Sequence, residues 1–131
     1  MPTTNDIDPC SLEEIYELAA EARDEGVRAK HRPEEKWFRY EDAGFICLWE
    51  PQNRKGTKRI SHWWVSESRR GEGIGPALLD RAIAAAKSSD ADRLDIYVYD
   101  PDPVEERGFE PAEGGHAQDE AEYYETSLSS E

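Results

Sequence analysis

The sequence predicts an α/β domain in which helices flank a mixed β-sheet. Segments rich in aromatic and β-branched residues alternate with segments whose apolar residues recur at helical spacing. In addition, Val65–Leu79 reads as a strand end, a loop with three glycines and a helix start, which is the order of a strand-to-helix unit. No segment repeats another, and 131 residues suit one domain spanning 1–131.

The first helix is predicted over Ser11–Glu25. Ser11 and Glu14 have the spacing of a capping box, in which each side chain bonds the other residue's backbone amide. Gly26 is suited to end this helix. We treat residues 1–10 as an N-terminal extension with at most a short strand, because two prolines interrupt it. One helical face is apolar and carries Leu12, Ile15, Ala19 and Ala22.

The rest of the chain alternates strands with one long helix. A second helix is predicted over Pro76–Ser88, where apolar residues cover one side. A last strand is expected within Glu120–Leu128, after an acidic loop at 110–122. Aromatic and β-branched residues predict the other strands, which are Lys36–Tyr40, Gly44–Glu50, Arg59–Val65 and Arg93–Tyr99.

The glycine loop has the composition of an anion site. Gly71, Gly73 and Gly75 allow tight turns and close approach of the backbone to a ligand. The first amides of the following helix lack partners within the helix, and its dipole favours negative charge there. Arg69 and Arg70 add positive charge at the start of the loop. The alternative is a glycine-rich turn that only joins a strand to a helix.

Two common phosphate loops do not fit this segment. A Walker A loop needs a lysine after its glycines, and a dinucleotide fingerprint needs its third glycine one residue later. The loop instead resembles the pyrophosphate loop of the GNAT N-acetyltransferase family, whose signature is Arg/Gln-x-x-Gly-x-Gly/Ala. Arg70–Gly75 matches that signature, and so do the preceding strand that ends in valine and the following Ala-Leu-Leu. The chain would be a short, partly degenerate member.

This resemblance implies an acyl-CoA N-acyltransferase-like fold and acetyl transfer from acetyl-CoA to an amine. In the family the cofactor lies in a V-shaped opening between two parallel strands, here Arg59–Val65 and Arg93–Tyr99. The acceptor would be an amine-bearing small molecule or protein. By the same resemblance, the residues that bind the cofactor would be Trp64, Val65, Arg69, Arg70, Gly71, Gly73, Ile74 and Gly75.

The family's general base is a carboxylate, a histidine or an ordered water near the first of these strands. His62 and Glu67 are the local candidates, and Glu50 on the neighbouring strand is a third. A histidine has an ordinary pKa suited to removing a proton near neutral pH. The alternative for His62 is a strand histidine that packs against a tryptophan.

The family's general acid is a tyrosine in a Tyr-Glu-Lys-x-Gly-Phe context. The corresponding stretch here is Val104–Phe109, which keeps the glutamate, glycine and phenylalanine but has Val104 at the tyrosine position. Tyr99 is then the substitute acid, unless it is only a rim aromatic. The missing tyrosine leaves two alternatives to an enzyme. One is a non-catalytic structural or assembly protein that reuses the fold, and the other is a coenzyme A-binding regulator.

Charge limits the partners. The chain has 30 acidic and 16 basic residues, a formal net charge of -14, which repels nucleic acid and anionic membranes. Acids spread along the chain resemble the proteins of salt-in halophiles, although an acidic tail on an ordinary protein is the alternative. The two cysteines and three histidines lack metal-ligand spacing, so we expect no metal and a cytoplasmic location. A homo-oligomer or larger assembly is compatible with the sequence.

Overall fold

A computed structural model describes residues 1–113 and 121–128, so the predicted acidic loop lies partly outside the described residues. Most predicted elements are present with ends shifted by one or two residues. The elements are β1 (Asp8–Cys10), α1 (Tyr16–Arg23), β2 (Lys36–Tyr40), β3 (Gly44–Trp49), β4 (Thr57–Val65), α2 (Ile74–Lys87), β5 (Arg93–Val98), α3 (Asp102–Glu105), β6 (Glu110–Pro111) and β7 (Glu122–Ser127).

The strands form a seven-stranded sheet in the order β1-β2-β3-β4-β5-β7-β6. Among the described strands, β4 and β5 pair in parallel, and the other neighbours pair antiparallel. Helix α2 is the crossover that parallel neighbours require. The predicted mixed sheet with flanking helices is therefore confirmed.

One face of the sheet is covered by α2 and by the segment after β5. The apolar side of α2 and the apolar face of β5 meet there, as their residue spacing predicts. Each buried leucine or isoleucine contributes about 1.5–3 kcal/mol relative to exposure. The residues of this cluster include Leu78, Leu79, Ala82, Ala86, Leu94, Ile96, Val98, Val104 and Phe109.

The opposite face is covered only in part, by α1. The predicted capping box is present, because the Glu14 amide donates to Ser11 Oγ at 3.2 Å and the Ser11 amide donates to Glu14 Oε1 at 2.9 Å. A 3-10 turn at Glu13–Ile15 leads into the helix, and Gly26 follows its end with a φ of 91°. The apolar cluster beneath α1 contains Ile15, Leu18, Ala22, Trp37, Phe45, Cys47 and Trp64.

Helix α2 begins at Ile74, two residues before the predicted start at Pro76. Gly73 precedes the helix in the left-handed region, with a φ of 82°. The amide of Ala77 donates to the Gly73 carbonyl at 3.3 Å and closes the first turn. Pro76 is therefore the third helical residue, where its missing N–H still costs no bond inside the helix.

A β-bulge distorts β4 near its middle. Phe45 pairs with Trp64 and Cys47 pairs with Ser61, so β4 advances three residues where β3 advances two. His62 lies in this bulge and adopts a φ of 52°, which is unusual for a residue with a side chain. The bulge changes the course of β4 just before the glycine loop.

The link between α1 and β2 is a loop without a helix, and the segment after β5 contains a helix of only four residues. The carboxylate of Glu35 anchors the loop, because it accepts from the Arg32 amide at 2.7 Å and from Trp37 Nε1 at 2.9 Å. The Glu50 amide also donates to the Pro33 carbonyl at 3.0 Å. These bonds hold residues 27–35 against the α1 side of the sheet.

Candidate active site

The parallel strands β4 and β5 separate partway along their length. They pair from Thr57 opposite Arg93 to Ile60 opposite Ile96, after which β4 runs on to Val65 without further pairing to β5. A cavity of about 770 Å³ opens at this divergence. We call it the strand cavity. Its walls come from both strands, from the loop after α1 and from the start of α3.

A second cavity of about 430 Å³ lies over the glycine loop. We call it the loop cavity. Trp63 lines both cavities, and its Nε1 donates to the Gly75 carbonyl at 3.1 Å. The structure brings all eight predicted cofactor residues together around the loop cavity, namely Trp64, Val65, Arg69, Arg70, Gly71, Gly73, Ile74 and Gly75.

Two loop positions require glycine for conformational reasons. Gly71 and Gly73 have φ values of 85° and 82°, where side chains are strained. A Cβ added at Gly71 would meet no described atom within 4 Å, so the space beside this backbone is open. A Cβ at Gly73 would lie 2.9 Å from Met1 Sδ. The backbone is therefore bare at Gly71, whereas Met1 and Pro2 lie beside Gly73. The first amides of α2 have no partners inside the helix.

The two arginines of the loop are engaged with carboxylates of the same chain. Arg70 donates from Nε to the Val65 carbonyl at 3.0 Å and forms an ion pair with Glu25. Arg69 contacts Glu72 at 3.1 Å and Glu41 at 3.5 Å. Their charges are thus offset, and backbone amides are the groups that the loop offers to an anion.

His62 lines the strand cavity, but its ring is held by neighbours. It stacks on Trp37 with 5.6 Å between ring centroids, and its Nε2 accepts from Arg32 Nε at 3.2 Å. Burial, followed by the positive charges of Arg32 and Lys30, lowers the pKa of His62 to about 4. The imidazole is therefore neutral at pH 7, with its Nε2 lone pair used by a guanidinium.

The other two candidate bases lie elsewhere. Glu67 begins a 3-10 turn after β4 and lines an acidic cleft together with Glu21, Asp24 and Glu25. Glu50 lies 3.6 Å from Lys58 Nζ, near the start of β4 and away from the divergence. Of the three candidates, the structure places only His62 in the strand cavity.

Tyr99 reaches the rim of the strand cavity, where it is 72% exposed. Val104, at the position of the family tyrosine, is fully buried in the apolar core beneath α2. Tyr97 also lines the strand cavity, and it stacks on Tyr123 with 4.8 Å between ring centroids. The divergence therefore has two phenols, one exposed and one packed.

A buried ion-pair network supports the sheet beside the cavity. Asp95 has 0% exposure and accepts from Arg59 Nε at 2.9 Å and Arg59 Nη2 at 3.0 Å. Tyr123 Oη donates to Asp95 at 2.5 Å, and Arg54 lies 3.7 Å from the same carboxylate. Burial and the bond to Asp95 raise the pKa of Tyr123 to about 12, so Tyr123 stays a donor. This network joins β4, β5 and β7.

Three lining residues were missed by sequence reasoning. Arg28, Lys30 and Arg32 all line the strand cavity, although only the glycine loop was expected to carry functional cations. The available signal was their alternation with Val27 and Ala29, which pack against the cluster beneath α1. That period of two indicates an extended segment with one apolar side and one cationic side.

The sequence pattern of the Acetyltransferase (GNAT) family matches residues 3–107 of this chain. The chain therefore belongs to this family. No curated protein matches the chain by sequence. Nothing in these comparisons supports the non-catalytic alternative. Within the described residues, no helix has the length and apolar character needed to cross a membrane.

Solved structures show the same fold. N-acetylglutamate synthase from Neisseria gonorrhoeae, complexed with coenzyme A and L-arginine, is similar at 19% identity and a TM-score of 0.69, over 93% of this chain and 32% of that one. An N-acetyltransferase from Staphylococcus aureus Mu50 is similar at 20% identity and a TM-score of 0.70, over 94% of this chain and 98% of that one. Rv2747 from Mycobacterium tuberculosis, in complex with CoA, is similar at 13% identity and a TM-score of 0.69, over 92% of this chain and 98% of that one. The chain thus spans about a third of the Neisseria protein, and the acyltransferase-like fold is confirmed.

Proposed function

We propose that the protein acetylates an amine at the divergence of β4 and β5. The observation that carries this proposal is that the loop cavity and the strand cavity meet at Trp63. A donor held by its pyrophosphate over the glycine loop can extend its pantetheine arm into the strand cavity. The acceptor, a small molecule or a protein amine, would enter from the α1 side of the sheet.

The loop residues bind and orient the donor. The backbone around Gly71, Gly73 and Gly75 and the first amides of α2 suit a pyrophosphate, since bare amides and a helix N-terminus favour anions. Backbone of Trp64 and Val65 is available to the pantetheine amides. Ile74 and Trp63 form part of the apolar wall of the loop cavity.

The donor supplies an activated acetyl thioester. A nitrogen–carbon bond forms while the carbon–sulfur bond breaks, and the electron pair leaves on sulfur. One proton must leave the attacking nitrogen, and one must reach the thiolate. The acceptor attacks as a neutral amine, so positive charge beside the site assists by disfavouring the ammonium form.

We assign the proton transfers to two residues at the strand cavity. His62 would take the proton from nitrogen, directly or through water, once Arg32 gives up its bond to Nε2. Tyr99 would give a proton to the departing thiolate in place of the family tyrosine. Glu67 lies outside the cavity, and a role for it as base would require a water chain.

An acetylation assay tests these assignments against a panel of amino acids, polyamines and peptide amines. Tyr99→Phe removes only a hydroxyl, and loss of a positioned acid should slow transfer by about 10²-fold. Tyr16→Phe is the matched control, because Tyr16 is 73% exposed and lies outside both cavities. Equal rates in the two variants would remove Tyr99 from the mechanism, and no transfer by the wild type to any acceptor would defeat the proposed function.

A further inference from the structure

The strand cavity has a charge opposite to that of the chain. Arg28, Lys30 and Arg32 line it, and Asp100 is the one carboxylate among its described lining residues. The whole chain has a formal net charge of -14. Three cations on one wall of this cavity therefore differ from the acidic composition of the rest of the chain. We call Arg28, Lys30 and Arg32 the cationic wall.

The loop bonds and packing keep this wall facing the cavity. Val27 and Ala29 pack against the cluster beneath α1, so the alternating residues Arg28 and Lys30 lie on the other side of the extended segment. Glu35 accepts from the Arg32 amide at 2.7 Å, which fixes the end of the segment. Tertiary contacts thus fix the backbone from which these cations extend towards the cavity.

The wall also differs from the other cations of the site in its partners. Among the described residues, neither Arg28 nor Lys30 has a carboxylate within 4.0 Å, whereas Arg69 contacts two and Arg70 contacts one. Arg32 stacks over Trp49 at 4.8 Å from the ring centroid and donates to His62, so its charge also has no anionic partner on its side chain. The wall retains its capacity to bind an anion.

We infer that the cationic wall binds a carboxylate of the acceptor, so that the substrate is a small amine carrying a carboxylate group, as an amino acid does. This inference rests on the proposed acetyl transfer, and it names the acceptor class. An acceptor anion on Arg32 would also free Nε2 of His62 and offset the charges that lower its pKa. Binding of the correct acceptor would thus prepare the base, whereas a polyamine would be repelled.

The test compares each amino acid with its carboxamide, which keeps size and removes the charge. Rates are expressed per neutral amine, because the two amines have different pKa values. We expect the wild type to prefer amino acids by about tenfold or more, since charge-assisted bonds are strong. The double variant Arg28→Ala/Lys30→Ala should lose that preference, and Lys55→Ala, an exposed cation outside both cavities, should keep it. Equal use of amino acids and carboxamides by the wild type would overturn the inference while leaving acetyl transfer intact.

Two further readouts do not depend on turnover. Backbone amide resonances of residues 27–32 should shift on titration with an amino acid and not with its carboxamide, and absence of that difference would overturn the inference even if no acceptor is acetylated. Calorimetry should give the double variant the same affinity for acetyl-CoA as the wild type. A loss of cofactor affinity confined to the double variant would instead assign the wall to a phosphate of the cofactor.

Discussion

The loop cavity and the strand cavity are neighbouring parts of one site, but they are assembled differently. Every residue that lines the loop cavity comes from the continuous stretch 63–76. The strand cavity draws on separate segments at 26–32, 60–63 and 96–103. A local motif is therefore enough to define the cofactor side, whereas the acceptor side exists only when distant segments pack correctly.

Charge separates the two regions as well. The arginines beside the loop cavity are paired with carboxylates of the chain, which leaves backbone amides as the groups available to a phosphate. The cationic wall of the strand cavity lacks such pairing among the described residues. We propose from this difference that the loop cavity binds the cofactor through its backbone amides, and that the strand cavity binds a charged group of the acceptor.

The largest expected effect comes from breaking the buried network beside the strand cavity. Asp95→Ala would leave Arg59 without its buried partner, and loss of one member of a buried pair typically costs about 3–5 kcal/mol. Urea unfolding should show this loss of stability. Asp80→Ala is the matched control, because Asp80 pairs with Arg107 at a side chain that is 46% exposed. If both variants lose the same stability, the acceptor side does not depend on its buried contacts.

Salt should raise the stability of the fold and weaken the binding of a carboxylate to the cationic wall. Self-repulsion at a net charge of -14 opposes compactness, and 1 M salt shortens the Debye length to roughly 3 Å. We propose a halophile-like adaptation, in which the thermal midpoint rises by roughly 5 °C or more between dilute buffer and 1 M KCl. Over the same range, the preference for amino acids over carboxamides should fall. A flat melting temperature would contradict this adaptation.

A smaller effect is expected from the pKa of His62. Because burial lowers that pKa from 6.5 to about 4, the unfolded chain binds the proton more readily between those values. The contribution of His62 is therefore fully present above pH 6.5 and is lost as the pH falls towards 4. Unfolding measured over this range should show a shallower slope in His62→Gln. His31→Gln should instead change the slope above pH 6.5, because the paired glutamates raise the pKa of His31 and its contribution is lost as the pH rises through that raised pKa. Slopes that match the wild type in both variants would contradict the assignment.

The smallest effect is expected at the loop cavity. Glu25→Ala frees the Arg70 guanidinium from its exposed ion pair and makes it available to the pyrophosphate. Affinity for acetyl-CoA should rise by roughly two- to threefold, in keeping with the small worth of exposed pairs. Calorimetry on Glu25→Ala and on Glu17→Ala, a control at an exposed glutamate within α1, measures this change. An affinity that falls in Glu25→Ala would show that the pair positions Arg70 for the cofactor.

The sequence predicts the elements of the fold well because their signals are local. The capping box of Ser11 and Glu14, the alternation in β5 and the order of glycines around Gly73 each act within a few residues. The cationic wall was missed because the faces of a loop depend on the tertiary contacts of Val27 and Ala29. For His62, packing against a tryptophan is one of the alternatives from the sequence, and Trp37 supplies that contact. The bulge at His62 and the bond from Arg32 depend on tertiary structure, which the sequence does not indicate.

The most direct test of the whole account is titration calorimetry of acetyl-CoA into the wild type and two glycine variants. Gly73→Val should abolish measurable binding, because a side chain there blocks close approach to the loop backbone. Gly108→Val is the matched control, since Gly108 has a similar φ of 88° but lies outside both cavities. We predict binding by the wild type and Gly108→Val and none by Gly73→Val. No binding by the wild type at millimolar acetyl-CoA, or equal binding by all three proteins, would contradict the account.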